Sequence, residues 1–155
     1  MNRDAFGQLY LQLLPGLYRL AQSILHHRED AMDAVHQAVE KAWKASDRMR
    51  PGKEKAYISR IVINECRNIQ RHRMRVSPAP DFPGKKPDEP DSELYEAIFN
   101  LPEKYRLPLL IRYMEGYSEK EAAETLCISV GALKSRLFRA RNQLKNIMIE
   151  ESENQ

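Results

Sequence analysis

A proline-rich segment near the middle of the chain limits what this sequence can fold into. Residues 76–92 read VSPAPDFPGKKPDEPDS, which holds five of the nine prolines and few residues that could be buried. Proline lacks a backbone N–H and restricts the residue before it to extended conformations, so the segment is typical of a semi-rigid, extended linker. The sequence therefore predicts two separate domains, at residues 1–75 and 93–155, joined by a linker at 76–92.

Both domains are predicted to be helical. In the first domain, apolar residues recur at steps of three and four over three segments, at about 3–26, 29–46 and 54–74. In the second domain, a short helix at 92–99 precedes a longer one with Pro102 in its first turn. Proline removes one backbone hydrogen bond of a helix, so Pro15 should kink or split the first helix and Pro108 should bend a later one. We therefore expect an all-α fold of two small helical domains.

A helix-turn-helix is predicted within the second domain. Residues 117–129 read YSEKEAAETLCIS, in which Ser118 and Glu121 have the spacing of a capping box at the start of a helix. Only two residues separate Leu126, near the end of that helix, from Ser129, which can cap a second helix. Two helices joined by so short a turn, with small residues where they cross, form this motif.

The second helix of this motif combines an apolar seam with a basic outer face. Residues 128–145 contain five cations and no carboxylate. At 100° per residue, the seam consists of Val130, Leu133, Leu137, Ala140, Leu144 and Ile147. The opposite side carries Gly131, Ser135, Phe138, Arg139 and Asn142, with Lys134, Arg136, Arg141 and Lys145 on its flanks. A solvated basic face is the simple alternative, but the capped helix upstream favours recognition of a DNA major groove.

A second basic zone lies in the first domain. Residues 47–55 read DRMRPGKEK, a Pro-Gly turn surrounded by cations. The following helix carries Tyr57, Arg60, Asn64, Arg67 and Arg71 along one stripe. Cations attract phosphates, and a flexible loop beside an aromatic ring can hold an unstacked base. The alternative is that Tyr57 is a core residue and the arginines are simply solvated.

The sequence contains no pattern typical of catalysis or metal binding. It has no glycine-rich phosphate loop and no nucleophile elbow. His27, Asp30, Asp33 and His36 follow one another at steps of three, which places the two histidines on opposite sides of a helix. We therefore expect no catalytic residue, metal or cofactor, although a metal-dependent enzyme that uses these histidines stays an alternative.

Cysteine usage and hydropathy indicate the cellular compartment of the protein. Cys66 and Cys127 lie far apart on predicted helices and match no metal or redox motif, so we expect buried thiols in a reducing cytoplasm. No apolar run approaches the roughly 18 residues that a membrane span needs, and the N-terminus lacks the layout of a signal peptide. We therefore expect a cytoplasmic protein that does not insert into a membrane.

The sequence resembles bacterial RNA polymerase sigma factors of the extracytoplasmic-function (ECF) group over nearly its whole length. REDAMDAVHQAVEKAW (28–43) resembles the polymerase-binding helix of that family, and AYISRIVINECRNIQRHR (56–73) resembles its −10 promoter helix. LPEKYRLPLLIRYMEGYSEKEAAETLCISVGALKSRLFRARNQL (101–144) is similar to its −35 reading domain. The chain departs from the family in three places: His36-Gln37 replaces Gln-Glu, Val39-Glu40 replaces Phe-Leu, and Tyr57 replaces a common tryptophan.

The resemblance implies a protein that binds core RNA polymerase and directs it to a promoter without catalysing a reaction itself. Contacts with polymerase are expected from Asp33, Gln37 and Glu40. Contacts with the melted −10 strand are expected from Arg48, Arg50, Lys53, Tyr57, Arg60, Asn64 and Arg67. Contacts with the double-stranded −35 element are expected from Lys134, Ser135, Arg136, Phe138, Arg139 and Arg141.

The family also implies regulation by an anti-sigma factor, which is often membrane-anchored. A helix-turn-helix regulator that never engages polymerase is the alternative function. Such a regulator would bind DNA with the second domain in the same way, but this function would not explain the cationic loop beside Tyr57 in the first domain.

Overall fold

The computed structural model describes residues 2–76 and 92–153, which are largely helical and contain no β-strand. These residues form two compact units. The first unit contains α1 (Arg3–Leu25), α2 (Arg28–Lys44), a 3-10 turn (Ser46–Arg48) and α3 (Glu54–Val76). The second contains α4 (Ser92–Phe99), α5 (Glu103–Leu109), a π-helical turn (Leu110–Met114), α6 (Glu119–Leu126) and α7 (Val130–Glu153). The all-α prediction is confirmed, whereas the linker prediction falls almost wholly outside the described residues.

Small side chains on α2 bring the three helices of the first unit together. The buried side of α2 consists of Ala31, Ala34, Val35, Ala38 and Ala42. Alanines at a contact let helix axes approach closely, and larger residues of the neighbouring helices fill the space around them. Those larger residues include Leu17, Leu20 and Ile24 of α1 and Ile58, Val62 and Ile63 of α3. These buried residues recur at the helical spacing that the sequence predicts.

The end of α3 is tied to the junction of α1 and α2. Arg73 donates from Nη1 to the Leu25 carbonyl at 3.1 Å and forms an ion pair with Asp30. Gln70 donates from Nε2 to the Ile24 carbonyl at 3.2 Å. The last carbonyls of a helix lack partners within it and attract cations, so these side chains complete the end of α1. Arg73 is partly buried as a result.

The sequence predicts a kink or a split at Pro15, and of these two outcomes the split does not occur. Helix α1 runs without interruption from Arg3 to Leu25, with Pro15 inside it. Proline removes only the hydrogen bond to the carbonyl four residues earlier, here that of Leu11. Both Leu11 and Pro15 are exposed, so water can solvate that carbonyl and the helix continues.

Helix α7 is the centre of the second unit. Leu133, Leu137 and Ala140 of its predicted seam are buried, as their spacing requires. The prediction is wrong at the start of the seam, because Val130 is exposed, and Leu144 and Ile147 are only partly buried. The core of this unit therefore lies under the middle of α7, and both ends of the helix extend past it.

A π-helical turn follows Pro108 in the second unit. Pro108 has no N–H with which to close the preceding helical turn, and the five residues Leu110–Met114 continue with a wider winding. The Glu115 amide donates to the Leu110 carbonyl at 3.0 Å, five residues back. Gly116, with φ of +72°, follows the segment in the left-handed conformation that commonly ends a helix. Pro102 is the cap residue just before α5 rather than part of its first turn.

Candidate nucleic-acid interface

The helix-turn-helix is closed by the hydrogen bonds that its sequence predicts. Ser118 Oγ accepts from the Glu121 amide at 3.1 Å, and Glu121 Oε1 accepts from the Ser118 amide at 2.9 Å. Ser129 Oγ accepts from the Ala132 amide at 3.0 Å and begins α7. Side-chain acceptors at these two helix starts satisfy amides that would otherwise lack a partner. These bonds therefore define the residues at which α6 and α7 begin.

Cys127 is the residue at which the chain turns between α6 and α7. Its φ is +58°, in the left-handed region, and its side chain is exposed. A helix commonly ends on a left-handed residue, usually glycine or asparagine, and here cysteine fills that position. The prediction of a buried thiol on a helix is wrong for Cys127 and correct for Cys66, which is buried in α3.

The outer face of α7 presents a row of accessible cations and one large aromatic ring. Lys134, Ser135, Arg139 and Arg141 are exposed, and Phe138 is 63% exposed. Arg136 lies on the opposite flank from Arg141 and is partly buried. Phe138 thus offers an apolar surface to solvent among these polar and cationic side chains.

The loop before α3 forms a tight turn with cations on its outside. Gly52 has φ of +83°, which a side chain at this position would strain. The Lys53 amide donates to the Arg50 carbonyl at 3.0 Å, and the Gly52 amide donates to Glu54 Oε1 at 3.1 Å. Arg48 and Arg50 are exposed, so the turn is held by its backbone while these side chains extend into solvent.

The stripe on α3 continues from that loop. Tyr57 is 37% exposed, so part of its side chain is accessible to solvent. Asn64 and Arg67 are exposed on the same side of the helix, and Arg60 is partly buried between them and Tyr57. An aromatic ring, an amide and two guanidinium groups thus follow one another over three turns.

A third polar surface lies on α2. Asp33, Gln37 and Glu40 are all exposed and fall within about 60° of one another around the helix. They point away from the alanines that pack against α1 and α3. Their acidic character contrasts with the cationic loop and α3 stripe of the same unit.

The described residues also show whether the requirements of a metal site and of a membrane span are met. His27 is the N-terminal cap of α2, where its Nδ1 accepts from the Asp30 amide at 3.2 Å. Among residues 2–76 and 92–153, no three His, Cys, Asp or Glu side chains are grouped as metal ligands would be. Over the same residues, every helix is too short or too polar to span a bilayer.

Two family models match this chain, one on each unit. The model described as Sigma-70 region 2 matches residues 9–76, and the model described as Sigma-70, region 4 matches residues 91–144. The chain is 28% identical over 130 residues to RNA polymerase sigma factor SigV of Bacillus subtilis, covering 79% of this chain and 78% of the relative. It is 29% identical over 155 residues to ECF RNA polymerase sigma factor SigM of Mycobacterium tuberculosis, covering 95% and 79%.

The chain belongs to the ECF group of sigma-70 factors. Its structure is similar to that of the sigma factor RpoE from Bartonella quintana in complex with the anti-sigma factor NepR, with a TM-score of 0.75 and 27% identity. That similarity covers 94% of this chain and 97% of RpoE. This sigma factor binds core RNA polymerase and directs transcription initiation at promoters. A helix-turn-helix regulator without polymerase binding is not favoured, because the region 2 match covers the first unit of this sigma factor.

Sequence reasoning missed a group of side chains beside α7 in this sigma factor. The guanidinium carbons of Arg112 and Arg141 lie 5.7 Å and 5.5 Å from the centre of the Tyr113 ring. Arg112 and Tyr113 belong to the π-helical turn, where the usual angle of 100° per residue does not predict the direction of a side chain. Two arginines and a tyrosine are within reach of one another here, but only Arg141 was expected at the interface.

Proposed function

We propose that this ECF sigma factor reads the −35 element with the exposed face of α7. Lys134, Ser135 and Arg139 carry donors that reach base edges in the major groove, and Phe138 suits the methyl group of a thymine. Arg136 and Arg141, on the flanks of that face, suit the phosphates on the two walls of the groove. The observation that carries this proposal is Phe138, whose large apolar side chain the fold leaves in solvent.

The charge distribution along α7 supports a polyanionic ligand. Its five cations lie between residues 134 and 145 with no carboxylate among them, and its glutamates follow only from residue 150 onward. Cations concentrated on one stretch of a helix create a positive potential that attracts a nucleic-acid backbone. This charge pattern is the one expected for an anionic ligand along the middle of α7.

We propose that the first unit captures the melted −10 strand. The cationic loop at 47–55 leads into the α3 stripe of Tyr57, Arg60, Asn64 and Arg67. An exposed ring can stack on an unpaired base while neighbouring cations bind the strand's phosphates. Arg48, Arg50 and Lys53 would supply the first of these phosphate contacts.

We propose that the acidic face of α2 binds core RNA polymerase. Asp33, Gln37 and Glu40 form a compact exposed surface on a helix whose other side is fixed in the core. A rigid helix face is suited to an interface because little conformational freedom is lost on binding. DNA would be repelled by these carboxylates, so polymerase rather than promoter is the partner assigned to this face.

We further propose cytoplasmic action under the control of an anti-sigma factor. The similar RpoE structure was solved with its anti-sigma factor NepR, which supports a partner of that class for this chain. The proposed limits are 1–75 for the polymerase and −10 domain, 76–92 for the linker and 93–155 for the −35 domain. Run-off transcription with core polymerase on genomic fragments tests the function directly: specific start sites should appear only when this protein is added.

The Arg139→Ala substitution should relax sequence preference at one −35 position. Loss of a base-edge contact should cost about 1–3 kcal/mol on the preferred sequence and less on variants of that position. Arg141→Ala should weaken binding to all sequences alike, because a phosphate contact carries no base information. Holoenzyme binding across a set of single-base −35 variants measures both effects. A uniform loss for both substitutions would show that Arg139 does not read a base.

Reversing charges on α2 should weaken core polymerase binding by about ten-fold or more, because charge reversal places like charges across a complementary interface. The variant combines Asp33→Lys with Glu40→Lys, and both positions are exposed, so the fold should survive. Competition against a labelled sigma factor for core polymerase measures the affinity. Asp4→Lys with Glu93→Lys, equal in charge but outside α2, is the control. If both double variants compete like the unmodified protein, α2 is not the polymerase-binding face.

A further inference from the structure

Tyr113 lies between two arginines that come from different parts of the second unit. Arg112 is its neighbour on the π-helical turn, and Arg141 is on α7. Their guanidinium carbons lie 5.7 Å and 5.5 Å from the ring centre, within the range of a cation–π interaction. The Tyr113 side chain is 53% exposed, so the group is accessible from solvent.

The two guanidinium groups are not neutralised within the described part of the second unit. Arg112 Nη1 donates to the Tyr117 carbonyl at 3.2 Å, which fixes its direction. Both arginines lie over the Tyr113 ring, and neither forms an ion pair with a carboxylate whose side chain the structure describes in this unit. Arg73 in the first unit, by contrast, is paired with Asp30. Two cations on one exposed ring, without an acid, form a site for an anion.

The position of Arg141 indicates which anion this is. On α7, Arg141 lies at the edge of the exposed face, about 160° around the helix from Arg139. A helix in the major groove presents the centre of its outer face to the bases and its edges to the sugar-phosphate walls. The group around Tyr113 extends that edge outward, so it meets a backbone phosphate rather than a base.

We propose that Tyr113 is a positioning residue that holds Arg112 and Arg141 together as a clamp for one DNA phosphate beside the −35 element. This inference rests on the proposed −35 function of α7. The negative face of the ring orients both guanidinium groups before DNA arrives, so less side-chain freedom is lost on binding. The π-helical turn is the structural basis, because it brings Arg112 and Tyr113 to the side of α7.

The test compares Tyr113→Leu with Tyr113→Phe in the holoenzyme, on a promoter duplex recovered by run-off transcription. Leucine removes the ring, so affinity should fall about 3–10-fold. The slope of log affinity against log salt should become flatter by about one, as expected when one phosphate contact is lost. Base preference should not change. Phenylalanine retains the ring and should keep both affinity and slope, because the hydroxyl has no part in the clamp.

Coupling between residues distinguishes a clamp from a general structural effect. In an Arg141→Gln background, Tyr113→Leu should have little further effect, because the clamp is already lost. In a Lys134→Gln background, which removes a cation of α7 that does not contact the ring, the two effects should multiply. Equal effects in the two backgrounds, an unchanged salt slope for Tyr113→Leu, or a phenylalanine variant as weak as the leucine variant would each overturn the inference.

The unmodified holoenzyme separates this inference from the function on which it rests. It is measured on the promoter duplex and on one with a scrambled −35 element. Failure to discriminate between them would contradict the −35 function itself. Discrimination by the unmodified protein, combined with normal behaviour of Tyr113→Leu, would reject the clamp alone.

Discussion

Neutralising two cations of the loop before α3 should lower open-complex formation on duplex promoter by about ten-fold or more. The variant combines Arg50→Gln with Lys53→Gln. Flipping a base out of the duplex costs a few kcal/mol, which stacking and phosphate contacts with the opened strand must offset. Arg50 is exposed at the tip of a turn whose backbone is already fixed by Gly52, so its loss should leave the fold unchanged. Permanganate footprinting of the −10 region measures the melted fraction.

Three controls show whether the substitutions act on promoter melting rather than on binding or folding. Binding to core polymerase and to the −35 element should be nearly unchanged, because α2 and α7 are untouched. A template already mismatched across the −10 region should partly restore open complexes, since the flipping energy no longer has to be supplied. The charge-preserving pair Arg50→Lys with Lys53→Arg should melt duplex promoter almost normally, because phosphates respond mainly to charge. Normal melting by the neutralised variant would instead mean that these cations are simply solvated and do not bind the opened strand.

The parts of the interface that the sequence predicts well depend on local spacing. Ser118 and Glu121 form their capping box, and Ser129 caps α7, because each hydrogen bond joins residues three apart in one helical turn. The middle of the α7 seam is buried for a similar reason, since three apolar residues on one face must pack against something. A pattern confined to one or two turns leaves the rest of the fold little influence over the outcome.

The parts that it predicts poorly depend on the wider fold. The π-helical turn changes the direction of Arg112 and Tyr113, and no periodicity in the sequence indicates a turn of that width. Cys127 occupies a left-handed position that sequence patterns reserve for glycine or asparagine. Arg73 finds its partners at the last carbonyl of α1 and at Asp30 of α2, which no spacing within its own helix indicates. Each of these features depends on contacts with residues distant in the sequence, and the spacing of residues within one helix does not determine such contacts.

Arg106→Met should destabilise the second unit by about 3 kcal/mol, roughly a hundred-fold in its folding equilibrium. Arg106 is buried, and its Nη1 donates to the carbonyls of Phe99 and Leu101, both at 3.1 Å. The Phe99 carbonyl lies at the end of α4 and the Leu101 carbonyl lies two residues beyond it, so the helix offers neither of them a partner. Methionine preserves the apolar stem but leaves both carbonyls buried without a donor. Relief of the desolvation of the guanidinium offsets only part of that loss, because removing one member of a buried charged contact is strongly destabilising.

Burial lowers the pKa of Arg106, and the nearby Glu103 carboxylate opposes that shift. Lowering the pKa of a base disfavours its charged form, but arginine remains protonated throughout the neutral range. Loss of Arg106 should therefore destabilise the unit equally at mildly acidic and mildly basic pH.

Urea unfolding distinguishes the two units, because Trp43, the only tryptophan, packs against Phe6 in the first unit and its fluorescence reports on that unit. Far-UV circular dichroism follows both units. Arg106→Met should shift the dichroism transition and leave Trp43 fluorescence unchanged, whereas Arg139→Met, an exposed change of equal size in the same unit, should shift neither. Unchanged dichroism for Arg106→Met would mean that water can replace the guanidinium at the end of α4.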